Sequence, residues 1–170
     1  MGAGGSALTG WAARMPLTIF TTTKIARAMI TKSKMVCRKA PYFSTIAPRF
    51  ETLEPGLVVV GMPKRRAVHN HIGTVHALAI GNLCELAAGT MLEASLPRTH
   101  RWIPKGMDIQ YLAKAESDLV ARCEWDQVVP TAGEVIPVVV SVTDRAGTEV
   151  SRATIRMWVS PKPARAAQAA

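Results

Sequence analysis

The sequence has little of what marks several large classes of protein. Aromatic residues make up 5% of its 170 residues, and they do not interleave with the basic residues as on a nucleic-acid-binding surface. Its three cysteines (Cys37, Cys84 and Cys123) form no Cys-x-x-Cys pair, which suits a reducing compartment. No apolar run approaches the roughly 20 residues of a membrane helix. We therefore expect a cytoplasmic protein with no nucleic-acid partner and no integral membrane segment.

Acidic residues are missing from the first part of the chain. Up to Phe50 there are eight basic and no acidic residues, whereas the remainder has 13 basic and 12 acidic ones. Residues 17 to 38 predict an amphipathic helix, because polar and basic side chains recur on one face at helical spacing, namely Lys24, Arg27, Thr31, Lys34 and Arg38. We expect this helix to pack on the domain and leave a solvated basic face. An organelle transit peptide is the alternative.

Beyond this segment, the pattern is that of one sheet and one helix. We predict an N-terminal basic helical extension over 1–45, a domain over 46–160 and a disordered tail over 161–170, with a Gly/Ala-rich frayed start. The predicted strands are 49–53, 57–62, 107–115, 118–126, 134–143 and 148–159, with a turn at 144–147. A long helix is predicted from about Thr74 to Glu93, and 97–104 is a connection. An antiparallel sheet wrapped around one helix is the α+β arrangement that buries this pattern most economically.

The predicted central helix is unusual because it is apolar almost all round. Between Val75 and Met91 its only charged residue is Glu85. A lone carboxylate in such a helix is costly to bury unless it is paired or hydrogen-bonded. A functional interpretation makes Glu85 a base or nucleophile held in a pocket. The structural alternative is a surface carboxylate, or one paired with Arg98 or Arg101.

The start of this helix offers the complementary chemistry. Backbone N–H groups near His76 and Ala77 lie at the positive end of the helix dipole and can stabilise an oxyanion. Asn70 lies just upstream with an amide that can orient a carbonyl or a water. Ala77 and Glu85 are eight residues apart, which is about 12 Å along a helix, so one chain cannot bring both to one carbonyl carbon. The spacing therefore predicts a site shared by two antiparallel copies.

These residues resemble a known motif. The segment Asn70-His71-Ile72-Gly73-Thr74-Val75-His76-Ala77, followed by Glu85, is similar to the N-x-x-G-x-x-H-G motif of hot-dog-fold thioesterases of the phenylacetate-pathway type. In that family an acidic residue follows the histidine by nine positions. The resemblance spans about residues 46–159 and implies a hot-dog fold and an acyl-CoA substrate. It also implies a dimer or a dimer of dimers.

The resemblance also implies individual roles. Glu85 would be the base or nucleophile, Asn70 would contact substrate or water, and the N–H of Ala77, next to His76, would polarise the carbonyl. Two positions differ from the common pattern: Ala77-Leu78 replaces Gly-Gly, and Ile103-Pro104 stands where a Ser or Thr is frequent. With residues 40–43 and 101–107, these differences resemble a subgroup whose members mostly have no assigned activity.

Further residues are candidates for binding substrate. Gly73 and His71 belong to the loop before the helix, and Arg98, Arg101 and Lys105 could form an electropositive entrance for CoA phosphates or a solvated rim. His69, His71 and His76 lack the ligand set of a zinc site, and we expect neither metal nor cofactor. The alternatives to hydrolysis are an acyl-binding protein without turnover, a 3-hydroxyacyl thioester dehydratase, which the His71–Glu85 spacing resembles, and a purely structural domain.

Overall fold

The structure is a computed structural model that describes residues 17–163, with side chains described from Arg27 onward. The predicted frayed start at 1–15 and residues 164–170 of the tail predicted over 161–170 lie outside the described residues, whereas Pro161 belongs to the last strand. Two α-helices and six strands follow in the order α1, β1, β2, α2, β3, β4, β5 and β6. The helices are α1 (Leu17–Lys39) and α2 (Ala77–Ser95). A short 3-10 helix at Pro41–Ile46 follows α1, and another at Arg66–Val68 precedes α2. The prediction of α1 ended one residue short of its observed end.

The six strands form one antiparallel sheet. They are β1 (Arg49–Glu54), β2 (Leu57–Met62), β3 (His100–Tyr111), β4 (Leu119–Glu124), β5 (Glu134–Thr143) and β6 (Glu149–Pro161). Their order across the sheet is β1-β2-β4-β5-β6-β3, so β3 lies at an edge and pairs only with β6. Tight turns join β1 to β2 and β5 to β6, and Gly56 and Gly147 in these turns have φ values of +79° and +83°, which glycine adopts without strain.

The core lies between this sheet and α2. Alternate side chains of β5 are buried, as period-two patterning requires, including Ile136, Val138 and Val140. On α2, Leu83, Leu86 and most of the neighbouring apolar residues are fully buried. The sheet wraps around this helix, which confirms the predicted α+β hot-dog architecture.

Several boundaries differ from the prediction by one or two residues, and larger differences occur at both ends of β3, which ends at Tyr111 and not at Ala115, and at the start of α2. The segment 97–104 was predicted as a connection because of its prolines, but β3 already begins at His100. Pro104 is tolerated there because β3 is an edge strand with a register shift between Pro104 and Gly106. α2 begins at Ala77, not Thr74, because the N–H of Val75 donates to Ala115 O and that of His76 to Val68 O.

Helix α1 packs on the outer edge of the sheet. Ser33 is buried and its Oγ accepts the N–H of Phe50 at 3.2 Å, while Lys32 Nζ donates to Leu53 O at 3.2 Å. Arg27, Lys34 and Arg38 are exposed, in agreement with the predicted basic face. No helix among the described residues is long and apolar enough to cross a membrane.

Candidate active site

The loop before α2 is built by the side chain of Asn70. Its Oδ1 accepts the N–H groups of Ile72 and Thr74, both at 3.1 Å, and its Nδ2 donates to Thr74 Oγ1 at 2.7 Å. Gly73 completes the turn with φ +81°, and its N–H donates to Asn70 O at 3.2 Å. Asn70 is therefore the residue that shapes this loop, and only one hydrogen of its Nδ2 is left for another partner. His71 is exposed at the tip of the same turn.

His76 caps the start of α2. Its Nδ1 accepts the N–H of Leu78 at 3.0 Å, and its carbonyl oxygen accepts the N–H of Ala79 at 2.9 Å and that of Ile80 at 3.2 Å. Because Nδ1 is an acceptor, the proton of the neutral imidazole lies on Nε2. These bonds leave a single open donor at the helix start among the described residues, the N–H of Ala77.

Glu85 lies near the middle of α2 and is half-buried. Within residues 27–163 its carboxylate makes no salt bridge and no side-chain hydrogen bond, so no ion pair with Arg98 or Arg101 exists in the chain. Successive helical turns place Ala77, Leu78, Gly81 and Glu85 on one face. This face is partly open, and the side chain of Leu78 is 72% exposed.

Strand β3 runs back along α2 toward this open end. Trp102, near the start of β3, donates from Nε1 to Glu93 Oε2 at 3.2 Å, and Tyr111, at its end, donates from its hydroxyl to Ala77 O at 3.3 Å. Partial desolvation, and to a lesser degree Cys84, raises the pKa of Tyr111, which keeps this donor protonated. Ile72, Leu78 and Tyr111 are exposed, so this end of α2 carries apolar surface.

The same geometry separates the basic residues from the helix start. A helix of 19 residues is about 28 Å long. Arg98 follows the end of α2, and Arg101 lies in the first residues of β3, where its Nε donates to Ser160 Oγ at 3.3 Å. Lys105 is exposed farther along β3. Within one chain, the structure does not bring Arg98 and Arg101 to Asn70 and Ala77.

A pocket of about 240 Å³ opens beside the start of α2. Its walls include His76, Leu78 and Asn82 of the helix region and Tyr42 and Thr45 of the short helix before β1. Asn82 was not predicted as a site residue, although an amide in an otherwise apolar stretch of helix is unusual in the sequence. Tyr111 gave no comparable signal in the sequence.

Two other features lie outside this site. A larger apolar groove of about 820 Å³ lies between α1 and β1 and is lined by residues such as Met29 and Phe50, but by none of the predicted site residues. The described residues contain no group of three or more His, Cys, Asp or Glu side chains arranged to hold a metal ion.

The sheet wrapped around α2 defines the hot-dog fold, which the solved structures below share. The chain belongs to the family described as a domain of unknown function, DUF4442, whose model matches residues 29–159. No curated protein matches the sequence.

Several solved structures are similar. A crystal structure of a genomics target shares 44% identity over 84% of this chain and 99% of its own, with a TM-score of 0.72. A protein of unknown function from Pseudomonas aeruginosa, called a probable thioesterase, shares 23% identity over 82% and 96% of the two chains, with a TM-score of 0.70. A thioesterase family protein from Silicibacter pomeroyi shares 21% identity over 77% and 97%, with a TM-score of 0.65. The last two similarities show a shared fold and nothing more.

Proposed function

We propose that this protein hydrolyses acyl-CoA thioesters at a site formed by the start of α2 in one chain and Glu85 of a second copy. The observation that supports this most directly is the open N–H of Ala77. The neighbouring N–H groups of His76, Leu78 and Ala79 are all bonded, so one backbone donor points out of the helix start. Such a donor can bind the oxygen of a thioester carbonyl as it becomes negative.

The position of Gly81 supports the two-chain arrangement. If two α2 helices lie antiparallel with Glu85 of one opposite Ala77 of the other, the two-fold axis passes beside the residue midway between them, Gly81. A Cβ built at Gly81 meets nothing within 4 Å in its own chain. The absence of a side chain therefore leaves room for close approach of a second helix. The exposed Leu78 and Ile72 would be covered by the same contact.

This arrangement also gives the basic residues a role. Because β3 runs antiparallel to α2, its start lies beyond the end of its own helix. In the antiparallel dimer with its axis at Gly81, that end points to the same side as the helix start of the other chain and lies ten residues, or about 15 Å, beyond Glu85. Arg98, Arg101 and Lys105 of one chain would then approach the site of the other and bind the phosphates of CoA. The long unpaired edge of β3 would also be available for pairing between the chains.

The chemistry follows from these positions. Ala77 N–H and the free hydrogen of Asn70 Nδ2 hold the carbonyl, and the carboxylate of Glu85 accepts a proton as a water oxygen attacks the carbonyl carbon. The oxyanion collapses, the carbon–sulfur bond breaks, and the CoA thiolate takes the proton back from Glu85. The products are a carboxylic acid and the free thiol. His76 acts through its cap of Leu78, which keeps the helix start in place.

The experiment that tests the reaction compares wild type with Glu85→Gln on a panel of acyl-CoAs. The amide keeps the shape of the side chain but cannot accept the proton, so we expect a loss of kcat with KM retained. A protein that binds acyl-CoA saturably without hydrolysis, in both forms, would instead be an acyl carrier. Absence of both binding and turnover would leave the purely structural interpretation.

The shared site is tested by mixing two inactive variants. Glu85→Gln removes the base, and Ala77→Pro removes the N–H. A mixed dimer contains one chain of each variant. One of its two sites combines the intact helix start of the Glu85→Gln chain with the intact Glu85 of the Ala77→Pro chain. Random mixing restores about a quarter of the wild-type rate, since half of the dimers are mixed and half of their sites are intact. No recovery on mixing would rule out a site shared between Ala77 of one chain and Glu85 of the other.

The dimer has its own test. Gly81→Leu adds a side chain whose Cβ meets nothing within 4 Å in its own chain, so we expect the chain to fold while association is blocked. Sedimentation of this variant should show the mass of one chain, and activity should be lost with it. A variant that stays associated and active would rule out contact at Gly81.

A further inference from the structure

Asn82 is the most unusual polar residue in α2. It is 6% exposed and lies among apolar neighbours. Its Nδ2 donates to Thr45 Oγ1 at 3.2 Å. Its Oδ1 is buried and has no hydrogen-bond partner among the described residues. An unsatisfied buried acceptor is costly, so it calls for a donor that the chain itself does not supply.

The orientation of this amide is fixed by its neighbour. The hydroxyl proton of Thr45 is donated to Tyr42 O at 2.7 Å. Thr45 Oγ1 can then only accept a hydrogen bond from Asn82, because a hydroxyl has one proton. The nitrogen of Asn82 must face Thr45, and the oxygen must face elsewhere. The open atom is therefore an acceptor, and exchanging the two ends of the amide would break the bond to Thr45.

The pocket beside the helix start connects this acceptor to the proposed reaction centre. The pocket of about 240 Å³ is lined by Asn82 and by His76 and Leu78, the residues on either side of Ala77. Ala77 itself does not line this pocket, and Asn82 follows it by five residues, which is about 7.5 Å along the helix and about 140° around it. A group held at the Ala77 N–H by its carbonyl would therefore reach Asn82 by passing beside Leu78, which lines the pocket. The pocket is small, which favours a short acyl group over a long fatty chain.

We propose that Asn82 is a specificity-determining residue that selects short acyl groups carrying a hydroxyl several bonds from the thioester carbonyl. This inference rests on the proposed function, because it takes the carbonyl to lie at Ala77. The hydroxyl donates to Asn82 Oδ1 and satisfies it. An acyl group with a methyl in place of the hydroxyl fills the same space and leaves the acceptor buried and unpaired, which disfavours its binding.

The test measures binding and turnover separately. The probes for binding are two ketone analogues of CoA thioesters, in which a methylene separates the sulfur from the carbonyl so that no hydrolysis occurs. One carries the ω-hydroxyhexanoyl chain and the other the heptanoyl chain, in which a methyl replaces the hydroxyl. By calorimetry, wild type should bind the hydroxylated analogue about tenfold to a hundredfold more tightly. Asn82→Leu and Asn82→Ala should each lose this preference.

Thr90→Val is the matched control. Thr90 lies on the same helix, but its hydroxyl donates to its own helix, at Leu86 O (2.7 Å) and Ala87 O (3.3 Å), and it does not line the pocket. The preference for the hydroxylated analogue should persist in this variant. The proposal is overturned if wild type binds the two analogues within about threefold of each other, if it binds neither, or if Asn82→Leu keeps the wild-type ratio.

Hydrolysis of heptanoyl-CoA and ω-hydroxyhexanoyl-CoA separates the two proposals. If neither is hydrolysed but the binding preference is present and depends on Asn82, the hydrolytic function fails while the role of Asn82 stands. If both are hydrolysed at equal kcat/KM and bound equally, the hydrolytic function stands and the role of Asn82 fails. If wild type hydrolyses the hydroxylated substrate with a higher kcat/KM and the Asn82 variants do not, both the hydrolytic function and the role of Asn82 are supported.

Discussion

Replacement of Ala77 by proline removes one hydrogen atom from the proposed site and little else. Ala77 is the first residue of α2, where proline is favoured because the N–H needs no partner within the helix. The preceding residue, His76, has φ −66° and ψ 138°, which is the extended conformation that proline requires before it. Because the Ala77 N–H donates to nothing in the described chain, no hydrogen bond is lost on substitution.

The expected magnitudes follow from this geometry. The free energy of unfolding should change by less than about 0.5 kcal/mol, since the fixed φ of proline fits the site. Loss of one oxyanion donor should lower kcat about 100-fold to 1,000-fold, or roughly 2.7–4 kcal/mol of transition-state stabilisation. KM should change little, because the bond strengthens as the carbonyl oxygen becomes negative.

The assay is steady-state hydrolysis of acyl-CoA with release of the free thiol, together with urea unfolding of the same preparations. Ala77→Gly is the control, since it keeps the N–H and removes only the methyl group, so it should retain far more activity than the proline variant. A proline variant that folds normally and hydrolyses at the wild-type rate would refute the oxyanion role of Ala77. A variant that loses stability and activity together would show that the N–H has a partner in the assembled protein.

Two further predictions concern the core. A Cβ at Gly89 would lie 2.7 Å from the ring of Trp102, so Gly89→Ala should lower the free energy of unfolding by about 1 kcal/mol, as overpacking of 1–3 kcal/mol exceeds the gain in helix propensity of about 1. Trp102→Phe should relieve this effect in the double variant, and an additive loss would contradict the contact. Burial raises the pKa of Cys84 and that of Cys123 from 9.0 to about 12, so the folded protein keeps protons that the unfolded chain releases. Stability should therefore be full below about pH 9 and fall toward pH 12, and Cys84→Ala/Cys123→Ala should reduce that fall in urea unfolding curves across this range; an unchanged slope would contradict it.

Much of the fold was accessible from the sequence because it depends on local patterns. The β2 and β5 segments are apolar runs of strand length, α2 is an apolar run of helix length, and the Asp144–Gly147 turn carries its own signal. The turn forms as expected, since Asp144 Oδ1 accepts the N–H groups of Ala146 and Thr148 at 2.9 Å. The start of β3 was missed because its prolines suggest a loop, whereas position at a sheet edge is a tertiary property.

The candidate site, like the fold, was predictable from the sequence only in part. The loop 70–76 and Glu85 have sequence signals, because their chemistry and spacing are unusual in an apolar helix. The bonds that occupy Asn70 were not predictable, since an asparagine before a helix can equally face a substrate or fold back on its own loop. Asn82 and Thr45 are 37 residues apart, and only the packed structure shows that their hydrogen bond leaves the amide oxygen of a pocket-lining residue without a partner among the described residues.

The position of β3 has a consequence for synthesis on the ribosome. Its only neighbour in the sheet is β6, which ends at Pro161, and the register pairs His100 with Pro161 and Tyr111 with Ser151. Strand β3 emerges about 50 residues before the strand that it must join, and such distant pairing is slow to form. The nascent chain therefore leaves α2 uncovered along one flank until β6 has been synthesised, and during that interval it depends on chaperones or on fast folding to escape aggregation.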